Sequence, residues 1–132
     1  MSSAAFELQK SIYTTLTGDG TLMGMISGVF DNVPDNQAFP YIAIGDDTLG
    51  DWSTFARLGQ QATLTLHVYA QAEGKKVVKD ILSRMDTLLN RANFAISGFA
   101  LIGIVREFEE TLVEQDGLTY HGVQRYRALI ST

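Results

Sequence analysis

Apolar and polar positions alternate without a break from Gln61 to Ala70. Ala62, Leu64, Leu66, Val68 and Ala70 fall on one side, and Thr63, Thr65, His67 and Tyr69 on the other. A period of two places successive side chains on opposite faces of a strand, so one face is core and the other is not. After Gln71-Ala-Glu-Gly74 the period lengthens. Val77, Val78, Ile81, Leu82, Met85, Leu88 and Leu89 recur at helical spacing, with Lys75, Lys76, Lys79, Asp80, Arg84 and Asp86 opposite them. At ~1.5–3 kcal/mol for each buried large aliphatic side chain, this strand and helix form the centre of the expected core.

The remaining elements follow in order. Ser2 or Ser3 caps a first helix that runs to about Thr17, with Ala5, Leu8, Ile12 and Leu16 as its stripe and Phe6 and Tyr13 on the flanks. Gly18-Asp-Gly20 ends it, and Thr21 to Ile26 form a short helical turn. Val29 to Asp31 read as a short strand and Val33 to Asn36 as a loop, since Pro34 has no amide hydrogen and Asp and Asn favour turns. Phe39 to Gly45 form the next strand, with Pro40 at its start and Ile42 and Ile44 on one face. The polar segment Asp46–Gln60 reads as a long excursion between strands, of the kind often used for function. Asn90 to Gly98 is a connection. The strand from Ala100 is bent near Gly103, and Asp116-Gly117 marks the tip of a hairpin. The returning strand from Leu118 to Ile130 sets Tyr120, Gly122, Gln124, Tyr126, Ala128 and Ile130 on one face. Two main helices on one face of a mainly antiparallel sheet give a two-layer α+β domain spanning residues 1–132.

Composition narrows the function. With 132 residues the chain suits one domain. Its 45% hydrophobic content is that of a soluble globular protein, and no apolar run reaches the ~18 residues of a membrane span. The N-terminus lacks the pattern of a signal peptide, and cysteine is absent, so synthesis in the cytoplasm is expected and no disulfide or thiolate metal site can form. The net charge of −5 argues against tight DNA wrapping, because phosphate binding uses an excess of Lys and Arg.

Sites of chemistry are sparse. His67 and His121 are the only histidines, too few for a zinc centre of the usual kind. Asp46, Asp47 and Asp51 lack the ligand spacing of a calcium loop. There is no nucleophile elbow, dinucleotide fingerprint or phosphate loop. Glu107, Glu109 and Glu110 read as protection of a strand edge. No catalytic residue, cofactor or metal is therefore assigned. Trp52 and Phe55 either fold back over the core as a cap or offer aromatic anchors to a partner. The strand face of Thr63, Thr65, His67 and Tyr69 is either solvated or the meeting surface for a neighbouring subunit.

One resemblance spans nearly the whole chain. Thr119-Tyr-His-Gly-Val-Gln-Arg-Tyr-Arg-Ala128, after Asp116-Gly117, resembles the closing segment of the tail terminator, or tail completion, proteins of long-tailed phages and gene transfer agents. Leu8-Gln9, Ile12-Tyr13 and Leu16, then Gly28 to Pro34, Phe39 to Gly45, and His67 to Tyr69 followed by Gly74, fall in that family's order. Gln124 and Tyr126 stand where family members often carry Leu and Phe. The resemblance implies a structural, non-enzymatic protein that assembles into a ring, typically of six subunits, on the end of the tail tube. It implies partners in the tube protein and the head connector, with DNA passing through the lumen and not held there. Assembly would take place in the host cytoplasm, and the mature location would be the particle's tail or neck. A head-completion or minor tail component of similar fold, and a small ligand-binding domain or hydrolase, are the alternative readings.

Overall fold

The computed structural model describes residues 3–71 and 74–132. In chain order its elements are α1 (Ala4–Thr17), α2 (Gly20–Met23), β1 (Val29–Phe30), β2 (Tyr41–Asp51), β3 (Gly59–Ala70), α3 (Lys76–Leu89), β4 (Ala100–Val113) and β5 (Tyr120–Ser131). The strands form one sheet in the order β1-β2-β3-β5-β4. All pairs are antiparallel except β1 with β2. The fold is the expected α+β arrangement, with α1 and α3 against one face of the sheet.

Local chemistry sets the helix starts. The Ser3 side chain accepts from the Phe6 amide and caps α1; Ser2, the other candidate, lies outside the described residues. Asp19 caps α2 by accepting from the Leu22 amide, and its two carboxylate oxygens also receive the Arg84 guanidinium from α3 at 2.7 and 2.8 Å. That fork–fork ion pair clips the α1–α2 corner to α3. It holds the Asp19 carboxyl well below its usual range, at about 2, with the Arg84 hydrogen bond as the main cause. Part of the turn expected at Gln71–Gly74 falls on Ala72 and Glu73, outside the described residues.

The core lies between helices and sheet. Leu8, Ile12 and Leu16 of α1, Leu64, Leu66 and Val68 of β3, and Val78, Ile81, Leu82, Met85 and Leu89 of α3 are all buried there. Two expected stripe positions differ. Ala4 faces the core in place of Ala5, and Val77 is exposed. Gly122 of β5 lies directly under α3; a Cβ there would stand 2.6 Å from Val78 Cγ1, so its missing side chain sets how closely the helix approaches. Gln124 and Tyr126 are fully buried beside it. The Tyr126 hydroxyl donates to Gln124 Oε1 at 2.7 Å, while Gln124 Nε2 donates to the Leu82 carbonyl and to Glu109 Oε1. Each polar group thus satisfies another, which lets this polar pair stand in the core.

The largest correction concerns residues 46–60. They are not an excursion between strands. β2 continues to Asp51 and pairs with β3 down to Asp51 opposite Gln60, after a bulge between Ile44 and Asp47. Seven residues, 52–58, make the connection, closed by the Trp52 amide on the Gly59 carbonyl and the Thr54 amide on the Arg57 carbonyl. Asp and Gly, four of the six residues from Asp46 to Asp51, are poor strand formers, and pairing with β3 overrides their propensity. β4 shifts register between Leu101 and Gly103, where the sequence predicts a bend, and a second time between Arg106 and Phe108, where it predicts none. Gly117 has φ +70° at the β4–β5 tip, a left-handed conformation that glycine adopts without penalty.

Candidate functional site

The sheet face away from the helices is open. Because β3 alternates, Thr63, Thr65, His67 and Tyr69 all stand on it in a line. Cross-strand neighbours extend that line at one end into a band of rings. Tyr41 of β2 packs on Tyr69 at 5.4 Å between centroids, Phe39 packs on Tyr41 at 5.4 Å, and His121 of β5 stacks on Tyr69 at 4.4 Å and 17°.

Within the band, Glu114, His121 and His67 form a chain. Glu114 Oε1 lies 2.6 Å from His121 Nδ1, and His121 Nε2 lies 2.7 Å from His67 Nδ1. One proton per ring satisfies both contacts: His121 Nδ1–H donates to the carboxylate, and His67 Nδ1–H donates to His121 Nε2. The far edge of the His67 ring rests on Gly45, where a Cβ would meet Nε2 at 2.5 Å. Burial lowers the His67 pKa below its ordinary value, and the neighbouring His121 lowers it further against a smaller opposing effect of Asp46. Burial, with Glu114 nearby, raises that of the Tyr69 phenol. These rings bond and stack on one another, and among the described residues no group of three or more His, Cys, Asp or Glu is placed to hold a metal ion.

At the other end of the open face lies a groove of about 530 Å³. Trp52, Leu101, Ile102 and Leu129 line it, and Arg91 and Arg127 bring positive charge. Trp52 lies against Gly59, whose missing Cβ makes room for it. Trp52 is therefore not a cap on the helix-side core; 43% exposed, it borders a groove on the open face. Phe55, at the tip of the β2–β3 hairpin, is wholly exposed, and Leu58 beside it is largely so. The structure thus brings Trp52 to the same face as Thr63, Thr65, His67 and Tyr69 and leaves Phe55 projecting beyond them.

Sequence reasoning missed Glu114, Tyr41, Arg91 and the partnership of the two histidines. The parity of β5 already places His121 on the open face, but its meeting with His67 depends on the Tyr69-to-His121 register of β3 and β5. That pairing links residues more than fifty positions apart, and no local signal announces it.

A five-stranded sheet thus carries helices on one face, an open aromatic and charged surface on the other, and a projecting apolar hairpin tip. Comparisons with known proteins place this fold in a family. The family model for tail completion protein gp17 matches residues 10–131, and the chain belongs to that family. It is 26% identical over 128 residues to tail completion protein gp17 of Bacillus phage SPP1, covering 97% of this chain and 95% of that protein. The structure of SPP1 gp17 superposes with a TM-score of 0.64 at 25% identity, over 95% of this chain and 89% of the other. A chain of the virion of a native gene transfer agent particle shares the fold with a TM-score of 0.89 at 21% identity, over the full length of both. The protein is accordingly a structural tail component. No helix among the described residues is long and apolar enough to cross a membrane.

Proposed function

We propose that the protein assembles as a ring of identical subunits, six in the arrangement its family resemblance implies, on the end of the tail tube. There it ends tube growth and offers the surface that meets the head connector. All 132 residues act as one unit in this role, in the host cytoplasm during assembly and in the tail or neck of the finished particle. The observation that carries the reading is the β2–β3 hairpin. A strand pair that leaves the helix-covered core and ends in a wholly exposed Phe55 beside Leu58 gains nothing from those apolar side chains in the isolated fold. They become useful only against a partner, as anchors in an interface. Thr63, Thr65, His67 and Tyr69, with Trp52, supply further contact surface. The net charge of −5 suits a lumen through which DNA must pass without being held, since phosphate binding gains from released counterions only where cations replace them.

The test replaces residues 53–57 by a short Gly-Ser bridge. That leaves β2, β3 and Trp52 in place. The purified variant should unfold at the temperature of the parent, while tails carrying it should exceed their normal length or fail to join heads. Normal infectious or gene-transferring particles from the variant would overturn the hairpin's role. Normal particles assembled without the protein at all would overturn the assignment as a whole.

A further inference from the structure

Two patches on opposite edges of the sheet differ in charge and are level with one another, the β2 edge around Leu49 and the start of β4 before its acidic Glu107, Glu109 and Glu110. β1 covers β2 only at Ile42 and Ala43, so from Gly45 to Asp51 the outer edge of β2 has no strand partner among the described residues. That free edge carries Asp46, Asp47 and Asp51, all exposed and none paired with a cation among the described residues. Leu49, 43% exposed, stands between them. At the opposite edge, the connection after α3 runs back along β4 and is tied to it by the Arg91 amide on the Ile104 carbonyl. Arg91 pairs with no carboxylate among the described residues. Arg127 is only 3.9 Å from Glu107, which Arg125 holds at 2.7 Å. Between these two guanidinium groups opens the groove lined by Leu101 and the bulged, half-exposed Ile102.

Register makes the two patches complementary in position as well. Gly50 pairs with Gln61, Gln61 with Leu129, and Leu129 with Gly103, so the acidic strip and the basic groove lie at the same height along the strands. Asp47 and Leu49, opposite Leu64 and Ala62, point to the helix side, and Arg127 and Leu129, opposite Thr63 and Gln61, to the open side, so one copy overlaps the next. We infer that the acidic β2 edge around Leu49 of one copy docks into the Arg91–Arg127 groove at the β4 edge of a second copy, which makes this the heterologous contact of the ring. The inference rests on the ring reading above. Two different surfaces at one level, on opposite sides of a subunit, repeat side by side and close into a ring where the rotation between neighbours divides a full turn, whereas an offset along the axis would wind them into a helix. Opposite charge at the two patches fixes which patch meets which, and like charges disfavour the acidic strip against its own copy. The backbone of β4 at Ile104 and Arg106 is already capped by Arg91 and by Asn90 Oδ1, so the contact is made by side chains, not by extending the sheet.

The absence of cysteine from the chain permits a direct test. Leu49→Cys and Ile102→Cys are introduced together. Within one copy these positions lie three strand spacings apart, roughly 14 Å at ~4.8 Å per step, too far for a disulfide. Oxidation with diamide, of concentrated purified protein and of assembled particles, should give a ladder of covalent oligomers beyond the dimer. Each single variant should stop at the dimer. Adding Arg91→Glu and Arg127→Glu should reduce the ladder at least tenfold, and adding Asp47→Lys and Asp51→Lys to that protein should restore it. No ladder in either sample overturns the interface. If the protein is nevertheless present in several copies per particle, the ring reading survives that failure; a single copy per particle overturns both. A ladder indifferent to the charge reversals overturns the acidic-to-basic pairing.

Discussion

The two faces of β3 share a backbone and little else. Leu64, Leu66 and Val68 are 0–2% exposed beneath the helices, while Thr63, Thr65, His67 and Tyr69, one residue out of step, are half-buried among rings and charges. The inner face is apolar and shaped by volume. The outer face has its hydrogen bonds made sideways, between histidines and a glutamate, and leaves its rings partly in water. A strand built this way stabilises the domain with one side and keeps the other available. Substitutions on the two faces should therefore differ in size and in kind.

The largest contrast is between neighbours. Leu66→Asp would place an unpaired carboxylate in the core and remove a fully buried side chain, a loss of at least about 5 kcal/mol, comparable with the whole stability of a small domain. Circular dichroism should show no cooperative thermal transition. Thr65→Asp, on the other face of the same strand, should change stability by no more than about 1 kcal/mol. A folded Leu66→Asp variant of parental stability would erase the distinction between the faces.

Gly122→Val tests how tightly the inner face is packed. The new side chain would run into Val78 and Leu82, and such overpacking costs about 1–3 kcal/mol. Chemical denaturation should show a lowered midpoint with an unchanged slope.

The polar pair within the inner face gives a subtler result. Gln124→Leu strands the Tyr126 hydroxyl and should cost about 1–3 kcal/mol. Adding Tyr126→Phe removes the stranded hydroxyl and should recover the part of the loss that it causes, while the part due to the Leu82 carbonyl and Glu109, which also lose Gln124, remains. A double variant as unstable as the single would mean that the cost does not come from the stranded hydroxyl.

On the outer face the effect depends on pH. The folded-state pKa of His67 is depressed below its ordinary 6.5 by burial and by His121, against the smaller opposing pull of Asp46. As pH falls, the unfolded chain takes up this proton first. The His67 contribution is whole above the unfolded value and declines as pH drops from 6.5 through the lower folded value. Thermal midpoints measured from about pH 8 down to pH 5 should fall for the parent protein more steeply than for His67→Asn. Identical profiles would remove His67 from the account. The smallest effect belongs to the hairpin tip: Phe55→Ser should leave stability within about 0.5 kcal/mol, because Phe55 is wholly exposed.

Periodicity in the sequence was enough for most of the core. The alternation of Leu64, Leu66 and Val68 and the helical spacing of Val78, Ile81, Leu82, Met85 and Leu89 pick out buried residues, because burial of one face is a local pattern repeated along one element, although the same stripes also took in the exposed Val77 and put Ala5 in the place of Ala4. Ser3, Gly103 and Gly117 likewise announced a cap, a bulge and a turn through their own chemistry. The continuation of β2 through Asp46–Asp51 was not legible, since its three Asp residues and Gly50 disfavour strands and are held in one by pairing with β3. The Glu114–His121–His67 chain, the groove between Arg91 and Arg127, and the level placement of the acidic and basic patches were equally hidden. Each depends on which strands lie side by side and in which register, and that choice is made by the packing of the whole sheet against its helices, not by any segment alone.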